Sequence, residues 1–415
     1  MNFIRIIPLF LFVILGFHQI WAQSFKEDDY RRGSYHAQRK CYDLTHYRLQ
    51  LKIDPVTRFI SGSNRLSFYT MEEMKTLQID LDPGFEIEKI ISPLGTVRWS
   101  RIGSAVLVNL PAWIKKWQNS WIQVHYAGHP HIATNPPWDG GFVWHQDSEG
   151  QPWVGVSCEG QGSSLWFPSK DHPQDEPDSA LLQFEVPKNL VAVSNGQFVE
   201  KKSITDSTVQ FTYRVTYPIN HYNISLNVAQ YVSWSDTMKL PESGAILKMN
   251  FHVLPGFEEK ARNQFKQAKT VIRVLSQLFG DYPFVRDGYQ LIHTPYLGME
   301  HQSGIAYGSK FQNNSYGFDF ILMHETGHEW WGNFISASDH ASMWIHESFC
   351  TYSEALFVEK TADLETAYRY LLEQKKKIKN KSPMQGPIGV YYNGWKDSDI
   401  YYKGTWMLHS LRYVV

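Results

Sequence analysis

The chain has 415 residues, 43% of them hydrophobic, which is enough for at least two cores. Its net charge of -1 and isoelectric point near 7 argue against nucleic-acid partners and anionic membrane surfaces. Three cysteines, Cys41, Cys158 and Cys350, form neither a disulfide framework nor a cysteine-based metal site, so the cores must hold the fold.

The first residues read as an export signal. Arg5 supplies a positive start, Ile6 to Phe17 an apolar run, and Ile20-Trp21-Ala22 a small residue before a cut at Gln23. That run is too short for an ordinary membrane span, which takes about 20 residues. Residues 1–22 are therefore expected to be removed, with the mature protein periplasmic or extracellular and without stable membrane insertion.

The polar segment Phe25 to Lys40 is expected to be loosely ordered. Alternation then begins. Tyr47, Leu49, Leu51 and Ile53 interleave with polar residues, and Asp54-Pro55 ends the run, as in a half-buried strand. The same period marks Leu66 and Phe68, then Leu77, Ile79 and Leu81, then 105–110, 121–126, 182–186, 209–215 and 224–228. Short strands with Gly and Pro between them predict an all-β domain. Residues 135–178 carry no such pattern and read as a long irregular, Trp-rich stretch.

Beyond residue 235, where we place a domain boundary, the period changes. Ala261, Phe265, Ala268, Ile272, Leu275 and Phe279 recur at helical spacing until Gly280. A strand is expected at 289–293, and further helices around His324, around Glu347, over 364–379 and over 403–415. The last has no stop signal, so we read the chain as a fragment ending inside the second domain, 236–415.

The chemistry concentrates in Asp319-Phe-Ile-Leu-Met-His324-Glu325-Thr-Gly-His328. On a helix, residues four apart share a face, so His324 and His328 can hold one Zn2+ per chain, with Glu325 beside it as general base. A third ligand is needed. Glu347, with eighteen residues between it and His328, can return on a second helix. Glu354 lies seven residues past Glu347, on the same helical face, and can accept a hydrogen bond from the outer nitrogen of a metal-bound His.

This ligand pattern, followed by Trp330-x-Gly332-Asn333, resembles the gluzincin aminopeptidases, the aminopeptidase N family, which also contains a leukotriene epoxide hydrolase. Tyr42-Asp-Leu-Thr-His46-Tyr-Arg-Leu49 is similar to the family's opening strand. The resemblance implies a multidomain α and β protein: a saddle-like all-β domain over 23–235, then a thermolysin-like α/β zinc peptidase domain, with the family's later helical domain absent here. It also implies that Leu297-Gly298-Met299-Glu300-His301 matches the family's G-x-M-E-N segment. Gly298 and Met299 would then pair with an extended peptide, and Glu300 would hold its free α-ammonium. Here the first Gly is Leu297 and the Asn is His301.

Glu159, nine residues before the Pro of Phe167-Pro168-Ser-Lys-Asp171, is implied as a second amine anchor. Ser163 and Ser164 stand where the family often has Arg. Tyr401 of Tyr401-Tyr402-Lys403-Gly404 is implied as the oxyanion donor, with Tyr402 the alternative one position on. The implied function is a zinc aminopeptidase acting on peptides with a free N-terminus. An endopeptidase, an epoxide hydrolase of the same fold and a non-catalytic peptide-binding relative are the alternatives.

Overall fold

The computed structural model describes residues 25–381, 383–395 and 397–415. The expected export signal at 1–22 lies outside the described residues. The described residues form three sheets, with two short helices near their start and the longer helices in the C-terminal part.

A ten-stranded sheet is centred on the strand Tyr42–Asp54. That strand pairs antiparallel with Phe59–Thr70 and parallel with Ser179–Pro187. Alternation explains its inner face. Tyr47, Leu49, Leu51 and Ile53 are all buried, and a side-chain period of two points them to one side. Asp54 then closes the hairpin by accepting the backbone N–H groups of Val56 and Thr57.

The segment expected to be irregular, 135–178, contains the strands Gly141–Gln146 and Pro152–Ser157. They belong to a four-stranded sheet with Val191–Val193 and Asn227–Ala229. Glycine and proline at their edges hide the period. Near 224–228 only Asn227–Ala229 is a strand, following a 3-10 turn at His221–Asn223. The polar arm is also ordered. It forms the helices Glu27–Gly33 and Ala37–Lys40. Arg39 is fully buried and donates to Asp80 at 2.7 Å and to the Asp171 carbonyl at 3.1 Å. A sequence rich in charge reads as solvated; the buried partner that overturns this lies 41 residues away.

The third sheet has five strands in the order Val232–Lys239, Ile246–Val253, Tyr289–His293, Ile305–Tyr307, Gly298–Met299. Residue 235 falls inside its first strand. The parallel pair Ile246–Val253 and Tyr289–His293 is joined by helices Glu258–Gln264 and Gln267–Phe279, two pieces where periodicity predicts one. The short strand Gly298–Met299 lies at the sheet edge, antiparallel to Ile305–Tyr307. A free edge of this kind can accept an extended peptide.

Two large hydrophobic clusters result. One lies between the β sheets, around Tyr47, Val124, Trp166 and Phe184. The other joins the five-stranded sheet to the helices through Phe251, Leu275, Leu291, Leu322 and Val358. The last helices run Leu364–Lys375 and Asp399–Leu411, the second starting four residues earlier than expected.

Candidate active site

The helix Phe320–Gly327 starts at Asp319, whose carboxylate accepts the Leu322 N–H at 3.2 Å. Tyr307 and Gln264 also donate to that carboxylate, at 2.5 and 2.8 Å, tying the helix start to the sheet. Ile321, Leu322 and Met323 are buried in the second core. Leu322 and Met323 hold the helix against that core, while His324 and His328 share the face that borders the cavity with Ile321. Their Nε2 atoms lie 3.2 Å apart.

The helix Trp344–Thr361 brings Glu347 back to them. Glu347 Oε2 lies 3.5 Å from His324 Nε2 and 3.6 Å from His328 Nε2. A tetrahedral ion about 2.1 Å from each ligand atom holds those atoms roughly 3.4 Å apart. The observed triangle has that size. Glu347 Oε2 is also buried without a hydrogen-bond partner, a costly state for a charged oxygen unless a cation takes it up. The donor set, two imidazoles and a carboxylate, suits zinc.

The outer nitrogens fix the tautomers. His324 Nδ1 lies 2.7 Å from Glu354 Oε1, and His328 Nδ1 lies 2.8 Å from the Trp331 carbonyl. Each Nδ1 therefore carries the proton, and each Nε2 turns a lone pair inward. Glu354 is itself held by Tyr370 at 2.5 Å and Gln374 at 3.0 Å, both on the helix Leu364–Lys375. Glu354→Ala is expected to weaken zinc affinity by about 10–100-fold, measured by competition with a chromogenic chelator. Cys350 is buried near the triangle, but its thiol donates to the His324 carbonyl at 3.0 Å, and the imidazole nitrogen nearest it is the one Glu354 occupies.

One cavity of about 210 Å³ collects the remaining candidates. Its walls include Glu159, Gly298, Met299, Glu300, His324, Glu325, His328, Glu347, Glu354, Tyr401 and Tyr402. Burial pushes the Glu325 carboxyl up to about 7. Burial, then the charges of Glu300 and Glu347, holds Glu159 well above the usual carboxylate range. Carboxylates crowded this way repel one another, so cations bound among them are strongly favoured.

Gly298 owes its identity to this crowding. A Cβ there would stand 2.6 Å from Glu325 Oε1 and 2.8 Å from Ile321 Cγ2, so glycine lets the edge strand pass this close to the helix. Gly404 does the same between helices. A Cβ there would stand 1.7 Å from Ser348 Oγ, and Ser348 donates to the Ile400 carbonyl across the crossing. The close crossing brings the Tyr401 ring to 6.3 Å from the His324 ring. Burial and the neighbouring carboxylates Glu347 and Glu159 raise the Tyr401 phenol well above its usual range, so it keeps its proton. Tyr402 also borders the cavity, but its hydroxyl accepts from Lys377 Nζ at 3.2 Å on the exposed side.

The departures near Glu300 have separate fates. Leu297 is 42% exposed at the cavity rim, while His301 is fully buried. Asn333 donates to the Glu300 carbonyl at 2.8 Å, fixing that backbone to the end of the metal helix. Ser163 and Ser164, standing where the family often has an arginine, donate to Asp171. Sequence reasoning missed Tyr222, whose hydroxyl donates to Glu300 Oε1 at 2.9 Å. It sits on a short turn with no motif around it.

Comparison with known proteins accords with this geometry. Residues 305–415 match the peptidase family M1 domain. Endoplasmic reticulum aminopeptidase 1 of Mus musculus is 22% identical over 52% of this chain and 24% of its own length. Probable aminopeptidase 1 of Saccharolobus solfataricus is 22% identical over 49% of this chain and 26% of its own length. The chain thus spans about a quarter of the length of the curated relatives it matches. Among solved structures, an M1 zinc metallopeptidase from Deinococcus radiodurans, bound to a Tyr-Ser-Ala substrate, superposes with a TM-score of 0.73. It shares 22% identity, with 91% of this chain and 84% of that one covered. Leukotriene A4 hydrolase from Saccharomyces cerevisiae superposes with a TM-score of 0.75 at 17% identity, covering 90% of this chain and 60% of that one. The family that the motifs resemble is therefore also the one whose model matches residues 305–415, the peptidase family M1 domain, and the fold is that of the M1 zinc metallopeptidases.

Proposed function

We propose that the chain is a zinc aminopeptidase that releases the first residue of a peptide bearing a free amino terminus. The observation that carries this reading is the sharing of one cavity by the three-ligand triangle and the buried carboxylate of Glu300. His324, His328 and Glu347 would hold the zinc. When bound, zinc supplies a Lewis acid that polarises the scissile carbonyl and makes water acidic enough to attack near neutral pH.

The chain's own groups do the rest. The substrate's ammonium pairs with Glu300 and Glu159, which measures off one residue from the chain end. Its backbone lies along the edge strand at Gly298 and Met299. Glu325 takes the proton of the attacking water and passes it to the departing amine. Tyr401 donates to the oxyanion as it forms.

Other parts of the reading follow from the same family. The all-β part over 23–235 is read as the saddle-like domain, and 236–415 as the thermolysin-like one. Export of the mature protein is read from residues 1–22. An endopeptidase is disfavoured by Glu300, which would put a buried charge where a mid-chain peptide has no ammonium. The same carboxylate disfavours an epoxide substrate that lacks an amine.

The reading is tested with a leucyl anilide and the acyl anilide identical but for the amine, each with and without a chelator. Glu300→Ala is expected to lower kcat/KM for the leucyl anilide by roughly 10²-fold, the cost of leaving a desolvated ammonium unpaired. The des-amino substrate should be barely affected. Wild-type enzyme that cleaves both substrates equally well, or that ignores the chelator, would contradict the proposal.

A further inference from the structure

The 3-10 turn His221–Asn223 comes from the β part of the chain, yet it reaches the back of Glu300. Tyr222 stands there between two groups. On one side its hydroxyl is 2.9 Å from Glu300 Oε1; on the other it is 3.4 Å from His346 Nδ1. The direction of these bonds follows from a third. His346 Nε2 accepts the Ala337 N–H at 2.8 Å, so that nitrogen carries no proton. The proton of the imidazole is then on Nδ1 and points at the Tyr222 oxygen. With its lone pair engaged by His346, the phenol turns its own proton toward Glu300.

The same turn also governs the backbone of the anchor. Asn223 Nδ2 donates to Asn333 Oδ1 at 2.7 Å, and Asn333 Nδ2 donates to the Glu300 carbonyl at 2.8 Å. Asn195 joins the Asn223 and Gln302 carbonyls, at 2.8 Å each. Side chain and main chain of Glu300 are thus both referred to one turn of another sheet. Tyr222 does not border the cavity that Glu300 lines but an adjoining one that it shares with Glu159 and His346, so it stands behind the carboxylate.

We propose that Tyr222, oriented by His346, is the positioning residue that sets the Glu300 carboxylate for recognition of the substrate's α-ammonium. It occupies Oε1 and leaves the second oxygen to the amine. A glutamate side chain has three soft torsions, and a charge displaced by about 1 Å can cost roughly 10²-fold in rate. Pinning one oxygen removes that freedom before substrate arrives. Burial and then the Glu300 and Glu159 charges raise the Tyr222 phenol well above its usual 10, so it remains a donor throughout the working range.

The inference rests on the aminopeptidase reading and is tested so that the two can fail separately. Tyr222→Phe keeps the ring and removes only the hydroxyl. We expect kcat/KM for a leucyl anilide to fall about 10-fold or more, mainly through KM, with hydrolysis of the des-amino anilide, zinc content and unfolding temperature unchanged. In a Glu300→Ala background the same substitution should change nothing further, since the hydroxyl has lost its partner. His346→Leu, which removes the orienting donor, should shift the ratio of the two substrates in the same direction by several-fold, and it serves where Tyr222→Phe folds poorly. Parallel losses for both substrates, or an unmoved ratio in both variants, would overturn the positioning role. If wild-type enzyme itself fails to distinguish the two anilides, the aminopeptidase reading falls and this role falls with it. If wild type discriminates and Tyr222→Phe discriminates equally well, only the positioning role is lost.

Discussion

Glu325→Gln is expected to lower kcat by about 10³-fold or more while zinc remains bound at one per chain. Glutamine keeps the shape of the side chain and its fit against Gly298, where Glu325 and the edge strand are in near contact. It cannot accept the proton of the attacking water. The metal should be indifferent, because the triangle is made by His324, His328 and Glu347 and does not include Glu325. The result is read from steady-state kinetics together with metal analysis of the same preparation. Activity within a few-fold of wild type would remove Glu325 from the role of base. Loss of metal alongside loss of activity would mean that the substitution had disturbed the ligands, and Glu325→Asp would then separate reach from charge.

Tyr401→Phe is expected to cost about 10²–10³-fold in kcat, with KM changed little, as for removal of a donor that acts mainly on the developing oxyanion. The Tyr401 phenol keeps its proton because ionising it beside Glu347 and Glu159, out of water, is unfavourable. Tyr402→Phe serves as the comparison. Its hydroxyl is engaged by Lys377 on the exposed side, so its loss should alter kcat less than about twofold. The reverse ranking of the two variants would reassign the donor to Tyr402. Both outcomes depend on the crossing of the helices Trp344–Thr361 and Asp399–Leu411 at Gly404, since that crossing sets where Tyr401 stands.

Much of the proposed metal centre is legible in the sequence. His324, Glu325 and His328 lie within five residues, and a helix converts that spacing directly into a shared face. Glu354 could be placed for the same reason, seven residues along from Glu347, and it is found 2.7 Å from His324 Nδ1. The strand Tyr42–Asp54 was readable too, because one buried face leaves a period of two in the sequence. Where that reasoning failed, it failed on residues whose partners are distant. Arg39 looked solvated until Asp80 took it up, and the strands at 141–146 and 152–157 were hidden by glycine and proline at their edges.

What the sequence by itself determined is the local chemistry: which side chains share a helix face, which strand residues turn inward, and which two imidazoles stand together with a carboxylate between them in the chain. Family resemblance supplied Glu159, Glu300 and Tyr401 as candidates. Only the tertiary structure decided that they line one cavity with the metal ligands, that Tyr401 and not Tyr402 faces His324, and that Tyr222 stands behind Glu300. The reason is physical. Periodicity records contacts within one turn or one strand, whereas these groups are joined by the packing of separate sheets and helices, and such packing leaves no regular mark along the chain.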